Sequence, residues 1–258
     1  FNNHYGVPLS LSNLEYEHDY GVFEIGMSKL GEIHRLSKLV RPNIGIITNI
    51  AQAHIENFKN IKGIAQAKGE IISNINEGGV LILNRDDGFF NYLKGVARRK
   101  KIKVLSFGRS KKADVCLIKN KKTENSNTLK IKAIDETLIL KTNFNGNLNI
   151  SNILCCLTVL KILELDIGKI GKFFEKNLAL NGRGKIHDVA RYKTKFKLID
   201  ESYNANPLSV KNAIINLSNI KKKNSKKYLL LGDMLELGKK SDFYHKNLSK
   251  IINVADID

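Results

Sequence analysis

Two adjacent carboxylates, Asp200 and Glu201, stand at the end of a short apolar run, Phe196 to Ile199, whose composition predicts a strand. A polar turn follows, and Pro207 predicts the start of a helix over Leu208–Leu217. Ligands of open α/β sheets bind just outside the carboxyl ends of strands. The two carboxylates are therefore placed to hold a hydroxyl-rich ligand such as a ribose, and the alternative is a solvated loop with a helix cap.

Lys68 occupies a position where an apolar side chain is expected. A helix is predicted near Ile61–Asn76, and at about 100° per residue its apolar residues fall on one face. These residues are Ile61, Ile64, Ala65, Ile71, Ile72 and Ile75. Lys68 falls in the middle of this stripe, so its amine must snorkel to solvent, find an anion or be chemically altered.

A glutamate and a histidine accompany two earlier predicted strands. Glu24 interrupts the apolar run Gly21–Gly26, which is a costly place for a carboxylate unless it is paired or bound to a cation. His54 follows the apolar run Ile44–Ile50, again beyond the carboxyl end of a strand. The alternatives are a strand-end glutamate that reaches solvent and an ordinary polar surface histidine.

Three more polar residues stand at predicted element boundaries. Asn149 and Asn152 are three residues apart, so they share one side of the first turn of a helix predicted over Asn149–Leu165. Both could equally be capping residues. Arg183 lies within the sequence Asn181–Gly184, which predicts a hinge, and the alternative is a solvated guanidinium between glycines.

These residues depend on elements that alternate between strand and helix, a pattern that predicts an α/β fold with a mainly parallel central sheet. Short strands after residue 103 predict an antiparallel extension, and a partial Rossmann-like carboxyl-terminal domain follows, with Asp233 beyond a predicted strand over Lys227–Leu231. The domain boundary is predicted near Gly184, giving domains 1–184 and 185–258. The remaining predicted elements are the helices Glu32–Val40, Ile167–Asn177 and Ser241–Val254 and the strands Val80–Leu83, Val104–Phe107, Asp114–Lys119, Thr128–Ala133 and Thr137–Lys141.

Composition limits the classes of protein to consider. The 258 residues are 42% hydrophobic and 26% charged, and no apolar run reaches the roughly 18–20 residues of a membrane span. The net charge of +18 comes mainly from lysines without an RNA-recognition motif, a finger or a basic heptad, so nucleic-acid binding is not predicted. Cys116, Cys155 and Cys156 form no disulfide framework and are predicted to be core residues, which favours a reducing compartment and a cytoplasmic location.

Several segments resemble the Mur ligases. The segments most similar to the family's sequences are Leu198–Pro207, Phe23–Met27, Gly31–Ile33, Thr48–Glu56 and Gly232–Gly238. The resemblance spans essentially all 258 residues, and its motifs are specific in combination and weak singly. It implies an ATP-dependent enzyme that uses Mg²⁺.

The resemblance also implies roles for individual residues. The implied metal ligands are Glu24, His54 and a carbamylated Lys68, and the implied catalytic residues are Lys68, His54 and Arg183. The implied nucleotide-binding residues are Asn149, Asn152, Arg183, Asp200 and Glu201. The implied substrate-side residues are Asn2, Asn3, Tyr203, Asn204, Asn206 and Asp233. Leu148 replaces a histidine of the family pattern, which leaves open any contact that this histidine makes.

The implied reaction joins D-alanyl-D-alanine to UDP-N-acetylmuramoyl-tripeptide through an acyl phosphate, in the synthesis of the peptidoglycan precursor by a monomeric enzyme. Another Mur ligase, or a ligase similar to folylpolyglutamate synthetase, is the alternative within the superfamily. The run Tyr203–Asn206 argues against both. A basic nucleic-acid-binding module is the alternative from another class, and steeply salt-dependent DNA binding would support it.

No phosphate-binding sequence G-x-x-x-x-G-K-[ST] occurs in the 258 residues. In the family that loop precedes the segment matching Phe1–Leu9, so the chain is expected to be truncated at its amino terminus. Its last residues suggest truncation at the carboxyl terminus as well.

We therefore expect these 258 residues, expressed alone, to have no ligase activity, because nothing in them supplies the phosphate loop. The measurement is release of inorganic phosphate from ATP with the tripeptide and dipeptide substrates present. Release above the level of a protein-free control would contradict the expectation.

Overall fold

The computed structural model describes residues 2–123, 126–142, 147–175, 180–191, 194–220 and 225–258. The helices are α1 Gly6–Ser12, α2 Glu32–Val40, α3 Ile61–Gly69, α4 Phe90–Arg99, α5 Asn147–Ile162, α6 Ile167–Glu175, α7 Pro207–Ser218 and α8 Ser241–Ile252. The strands are β1 Ile44–Ile47, β2 Val80–Asn84, β3 Lys103–Gly108, β4 Val115–Lys122, β5 Asn127–Ala133, β6 Glu136–Thr142, β7 Lys185–Arg191 and β8 Thr194–Asp200. Short 3₁₀ turns cover Ile55–Asn57, Glu70–Asn74 and Gly238–Lys240.

The first six strands form one sheet in chain order. Strands β1 to β4 run parallel, and β4 to β6 run antiparallel, which confirms the predicted parallel sheet with an antiparallel extension. Strands β7 and β8 form a separate antiparallel pair in which Ile186 lies opposite Ile199. The fold is therefore a mixed α/β fold, as its alternating elements predict.

Strand β2 forms the centre of two apolar cores because both faces of the sheet are covered. Leu81 and Leu83 pack into the core that α3 and α4 close. Ile82 points to the opposite face and joins the core beneath α5. The side chains of a strand alternate between faces, so an unbroken apolar strand is what a sheet covered on both sides requires.

The strand predicted over Ile44–Ile50 ends at Ile47, because side chains take over the backbone hydrogen bonds of the next residues. Three such bonds are present: from Asn84 Nδ2 to the Thr48 carbonyl oxygen (3.1 Å), from Lys68 Nζ to the Asn49 carbonyl oxygen (3.0 Å) and from the Ile50 N–H to Asp87 Oδ2 (2.6 Å). Side chains therefore satisfy three of the backbone groups that follow the sheet ladder.

Two predicted strands do not form. In the run Gly21–Gly26, the Gly26 N–H donates to the carbonyl oxygen of Asn2 (2.7 Å) and the segment joins no sheet. In the run Lys227–Leu231, the Lys227 carbonyl accepts from the Asp258 N–H (2.9 Å), and Tyr228 is 69% exposed. Both runs have strand composition, but neither is hydrogen-bonded to a neighbouring strand within the described residues.

The helix predicted near Ile61–Asn76 changes to a 3₁₀ turn at Glu70. The Glu70 carboxylate accepts the Gly31 N–H (2.7 Å) and the His34 N–H (3.1 Å), and so caps the amino terminus of α2. At Glu70 the chain is therefore bonded to α2, whereas the prediction continues the α-helix through this position.

The cysteines lie where the sequence predicts them in part. All three are free, and Cys116 and Cys155 are buried. Cys156 is exposed, so the prediction of a core position is wrong for this residue. Adjacent positions on a helix are about 100° apart, so Cys155 can face the core while Cys156 faces outward.

In the described ranges, none of the helices has the length and apolar character needed to cross a membrane.

The two-sided core predicts a large difference between two leucines. Replacing Leu81, which is 0% exposed, with Ala is expected to lower the free energy of unfolding by about 2–5 kcal/mol, through lost burial and the cavity left behind. Replacing Leu230, which is 94% exposed, is expected to change it by less than about 0.5 kcal/mol. Denaturant unfolding of both variants measures the difference, and equal losses would contradict the assignment of the core.

Candidate active site

Lys68 brings a half-buried amine to the carboxyl end of β1. It lies on α3, where Ile64 and Ala65 of the predicted stripe are buried. Its Nζ donates to the carbonyl oxygen of Asn49 at 3.0 Å. Burial lowers the pKa of Lys68, and the negative charge of Asp87 opposes that shift in part. An amine with a lowered pKa is unprotonated more often at neutral pH than an exposed lysine is, and so is a better nucleophile.

Asp87 is a residue that sequence reasoning missed. One of its oxygens accepts the Ile50 N–H (2.6 Å) and the other accepts the Phe89 N–H (2.8 Å). It therefore fixes the chain after β1 to the chain after β2, next to the Lys68 amine. The available signal was the polar run Asn84–Asp87 directly after a buried strand, where open sheets place functional groups.

His54 lies at the start of the turn Ile55–Asn57 with a left-handed backbone, φ 55°. Its Nδ1 faces Oε2 of Glu236, a residue that the sequence did not single out. The hydrogen bonds and ion pairs of the described residues link His54 neither to Glu24 nor to Lys68.

Glu24 is tied to the first described residues of the chain. Its Oε1 accepts from Asn2 Nδ2 at 2.8 Å. A Cβ on Gly26 would lie 2.9 Å from Cγ of Asn2, so the two segments approach closely only because residue 26 is a glycine. The side-chain oxygen of the exposed Asn3 accepts the N–H groups of Tyr5 and Gly6 at the start of α1, which commits it to that turn.

The donor set fits Mg²⁺ only in part. Glu24 offers carboxylate oxygens, the ligands that hard cations prefer, whereas Lys68 as an amine offers none. Within the described ranges, no group of three or more His, Cys, Asp and Glu side chains is gathered to hold a metal ion. The side chains as they stand therefore do not complete a magnesium site.

The carboxylates at the end of β8 have different environments. Asp200 accepts the Gly182 N–H (2.9 Å) through one oxygen and the Ser202 hydroxyl (2.6 Å) and N–H (3.1 Å) through the other. Hydrogen bonds from Ser202, then from Gly182, lower the pKa of Asp200. Partial burial, and then the charge of Asp200, raise the pKa of Glu201. Asp200 thus closes the turn at the predicted hinge, and Glu201 is the carboxylate left for a ligand.

Arg183 lies in that turn between two glycines of positive φ, Gly182 at 73° and Gly184 at 85°. Its guanidinium carbon lies 4.3 Å from the ring centroid of Tyr203. A Cβ on Gly182 would lie 2.8 Å from Cβ of Tyr203, so the turn and the residues after β8 pack directly together. The structure therefore brings Arg183 and Tyr203 together with the two carboxylates.

Comparison with known proteins places this geometry in a family. The family described as the Mur ligase middle domain matches residues 1–160, more than half of the chain. The chain belongs to the Mur ligase family. Its fold follows from that membership.

The relatives agree with the family match. The chain is 34% identical over 260 residues to the UDP-N-acetylmuramoyl-tripeptide–D-alanyl-D-alanine ligase of Buchnera aphidicola subsp. Baizongia pistaciae, covering 100% of the chain and 54% of that protein. A crystal structure of MurF from Acinetobacter baumannii superimposes with a TM-score of 0.89 at 29% identity, covering 100% of this chain and 54% of that one. MurF ligase from Thermotoga maritima in complex with ADP superimposes with a TM-score of 0.80 at 27% identity, covering 99% of this chain and 57% of that one. The chain spans about half the length of the relatives it matches.

The structure describes one of the two asparagines that the Mur ligase resemblance assigns to adenine. Asn152 is exposed on the first turns of α5. Asn149 lies in the same helix, but its side chain is outside the described residues, as is Gly146, which opens the motif. The predicted pairing of the two side chains stays a prediction.

The other residues that the Mur ligase resemblance assigns to the substrates have different surroundings, since one caps a helix and three are exposed. Asn206 caps α7 by accepting the N–H groups of Leu208 and Ser209, which matches the helix-cap alternative. Tyr203 and Asn204 are exposed beside the hinge. Asp233 is exposed, and its neighbour Met234 is held by its N–H to Nε2 of His245 at 3.0 Å.

The different carboxylate environments give a prediction at the hinge. Replacing Ser202 with Ala removes the hydroxyl donor, so the pKa of Asp200 is expected to rise toward its ordinary value. Because the folded pKa of Asp200 is lowered, its contribution to stability is present above the unfolded value of about 3.9 and is lost as pH falls through the folded pKa. Carboxyl ¹³C NMR titration measures the pKa of Asp200 in the unmodified chain and in Ser202→Ala, with Ser73→Ala as the control. An Asp200 pKa at or above the ordinary value in the unmodified chain would contradict the assignment.

Proposed function

We propose that the whole protein is the ATP-dependent ligase that joins D-alanyl-D-alanine to UDP-N-acetylmuramoyl-tripeptide. The observation that carries the proposal is the half-buried Lys68 amine, which bonds the Asn49 carbonyl at the carboxyl end of β1, the position where open α/β sheets bind nucleotides. The relatives that share this fold along the whole chain are named for this reaction, and one related structure holds ADP.

The proposed reaction has two steps. ATP phosphorylates the terminal carboxylate of the tripeptide, giving an acyl phosphate and ADP. The amine of D-alanyl-D-alanine then attacks the acyl carbon, and inorganic phosphate leaves from the tetrahedral intermediate. Negative charge builds up at both steps, so fixed cations and hydrogen-bond donors lower the barrier most where they face the phosphoryl group.

We assign the nucleotide to the groups on either side of the hinge. Glu201 is placed to hold ribose hydroxyls, since Asp200 is engaged in the turn. Arg183, ordered against Tyr203, is placed to meet phosphate oxygens. Asn149 and Asn152 are assigned to adenine.

We assign the acceptor and the tripeptide to the exposed residues beside the hinge and to the first residues of the chain. These are Asn2, Tyr203, Asn204 and Asp233, with Asn3 and Asn206 supporting the backbone through their capping bonds.

Mg²⁺ belongs to the proposal as a partner of the ATP phosphates, where it would offset negative charge on their oxygens. Glu24 and His54 are proposed to bind it. Lys68 is proposed to join them after its unprotonated amine adds CO₂, because the resulting carbamate exchanges a nitrogen donor for two oxygens. The lowered pKa of Lys68 favours that addition.

We further propose a division of the chain near Gly184, a monomeric state and a cytoplasmic location. The division is supported by the separate core that α7, α8 and the residues around Met234 form. The location is supported by three free cysteines.

The Lys68 series tests the proposal. In the whole protein, Lys68→Ala is expected to lower turnover by roughly 100-fold or more, and a small carboxylic acid is expected to restore part of it by filling the vacated space. Lys68→Arg is expected to remain inactive, because arginine keeps its charge and does not form the carbamate. The control is Lys62→Ala, an exposed lysine on the same helix.

A readout independent of turnover is the carbamate carbon, observed by ¹³C NMR with labelled bicarbonate. The signal is expected in the unmodified protein and in Lys62→Ala, and it is expected to be missing in Lys68→Ala. Near-normal turnover of Lys68→Arg would overturn the carbamate, and a whole protein without ATP-dependent ligation would overturn the function.

A further inference from the structure

Two loops that are far apart in the sequence meet at His54. The loop after β1 presents the turn Ile55–Asn57, and the segment 233–238, which we call the acceptor loop, lies against it. The Glu56 N–H donates to the carbonyl oxygen of Glu236 at 3.2 Å. A Cβ on Gly238 would lie 3.0 Å from Cβ of Glu56, so the two backbones are in close contact.

The acceptor loop is anchored on both sides of Glu236. Met234 is 2% exposed and Leu237 is 4% exposed, and both belong to the core that α7 and α8 form. The Met234 N–H is bound by Nε2 of His245, whose Nδ1 faces the Ser241 carbonyl oxygen at 2.9 Å. Glu236 therefore projects from a short segment whose ends are fixed.

The two residues that face each other both have strained backbones. His54 has φ 55° and Glu236 has φ 60°, in the left-handed region that residues with a Cβ rarely occupy. Such strain persists only where surrounding contacts impose it, and it is concentrated at functional sites. Ile55, next to His54, packs against both the core beneath α3 and the core of α7 and α8, which supplies such contacts.

The chemistry of the His54 and Glu236 pair depends on which ring nitrogen of His54 faces the carboxylate. Nδ1 of His54 is a buried atom for which the described ranges show no hydrogen bond, and the side-chain atom that faces it is Oε2 of Glu236. An ionised carboxylate accepts hydrogen bonds but cannot donate one. A neutral imidazole whose Nδ1 faces it is therefore fixed as the Nδ1–H tautomer. Nε2 is then the nitrogen with a free lone pair.

We propose that Glu236 is a positioning residue of the ligase, which holds His54 in the Nδ1–H tautomer and presents Nε2 at the carboxyl edge of the sheet. The inference rests on the proposed function, because His54 belongs to a ligase site only under that proposal. It adds a dependence between two parts of the chain: the orientation of His54 is set by the loop that carries Asp233.

The tautomer is measured on this chain by long-range ¹H–¹⁵N NMR of the imidazole rings at mildly alkaline pH, with His54→Gln used to assign the signal. The unmodified chain is expected to show Nδ1 of His54 protonated. Glu236→Ala is expected to move His54 to the Nε2–H tautomer. Glu236→Gln is expected to restore the Nδ1–H form, because its amide oxygen still accepts the bond.

The matched control is Glu77→Ala, which removes an exposed loop glutamate and is expected to leave His54 unchanged. His245 is an internal reference for folding of the acceptor loop, because its hydrogen bonds to Met234 and Ser241 do not involve Glu236. An Nε2–H tautomer in the unmodified chain, or an unchanged His54 signal in Glu236→Ala, would overturn the proposal.

The kinetic arm uses the whole protein. Glu236→Ala is expected to lower kcat by about 10- to 100-fold, the usual effect of removing the group that orients a site histidine, and Glu236→Gln is expected to recover most of it. A normal kcat in Glu236→Ala would overturn the positioning role even with the tautomer confirmed. A whole protein that performs no ligation would overturn the proposed function and leave the tautomer result as a separate finding.

Discussion

The amine of Lys68 fixes the relation between α3 and the carboxyl end of β1, and the neighbouring loops depend on that relation. A buried ammonium group without a partner would cost several kcal/mol. Here the cost is reduced by the Asn49 carbonyl, the charge of Asp87 and a lowered pKa. Because the acceptor is a backbone carbonyl, the position of the amine and the end of the strand are set together.

The loops beyond the parallel strands are connected by aspartates in a consistent way. Asp87 joins the chain after β1 to the chain after β2. Asp86 accepts the N–H groups of Arg109 (2.6 Å) and Ser110 (2.9 Å), and so joins the chain after β2 to the chain after β3. The carboxyl edge is therefore held by side-chain bonds where the sheet ladder ends, and its loops can carry function without being loose.

Local patterns predicted most of the elements, and long-range contacts account for the errors. Helix α2 has the predicted bounds, because its apolar spacing and the following Arg41-Pro42 are local signals. The end of α3 depends on Glu70 capping a helix more than thirty residues earlier, which periodicity does not report. The end of β1 depends in the same way on residues after β2.

The candidate site was predictable to the same degree. Position on a strand end or on an apolar stripe singled out Lys68, Asp200 and Glu201 as candidates, and their roles stay predictions. The contact between His54 and Glu236 joins residues separated by most of the chain, so no window of sequence contains it. The engagement of Asn206 in a cap was visible as an alternative, since Asn before Pro commonly starts a helix.

The segment Tyr228–Leu231 has a consequence for how copies of this chain behave in solution. It is an apolar run outside the described strands, and Tyr228 and Leu230 are largely exposed. Exposed runs of this composition pair with one another and seed aggregation. The exposed Lys226 lies close before it, and the chain as a whole carries 43 Lys and Arg against 25 Asp and Glu. Mutual repulsion between such cationic chains opposes edge-to-edge pairing, so colloidal stability falls as added salt screens the charge.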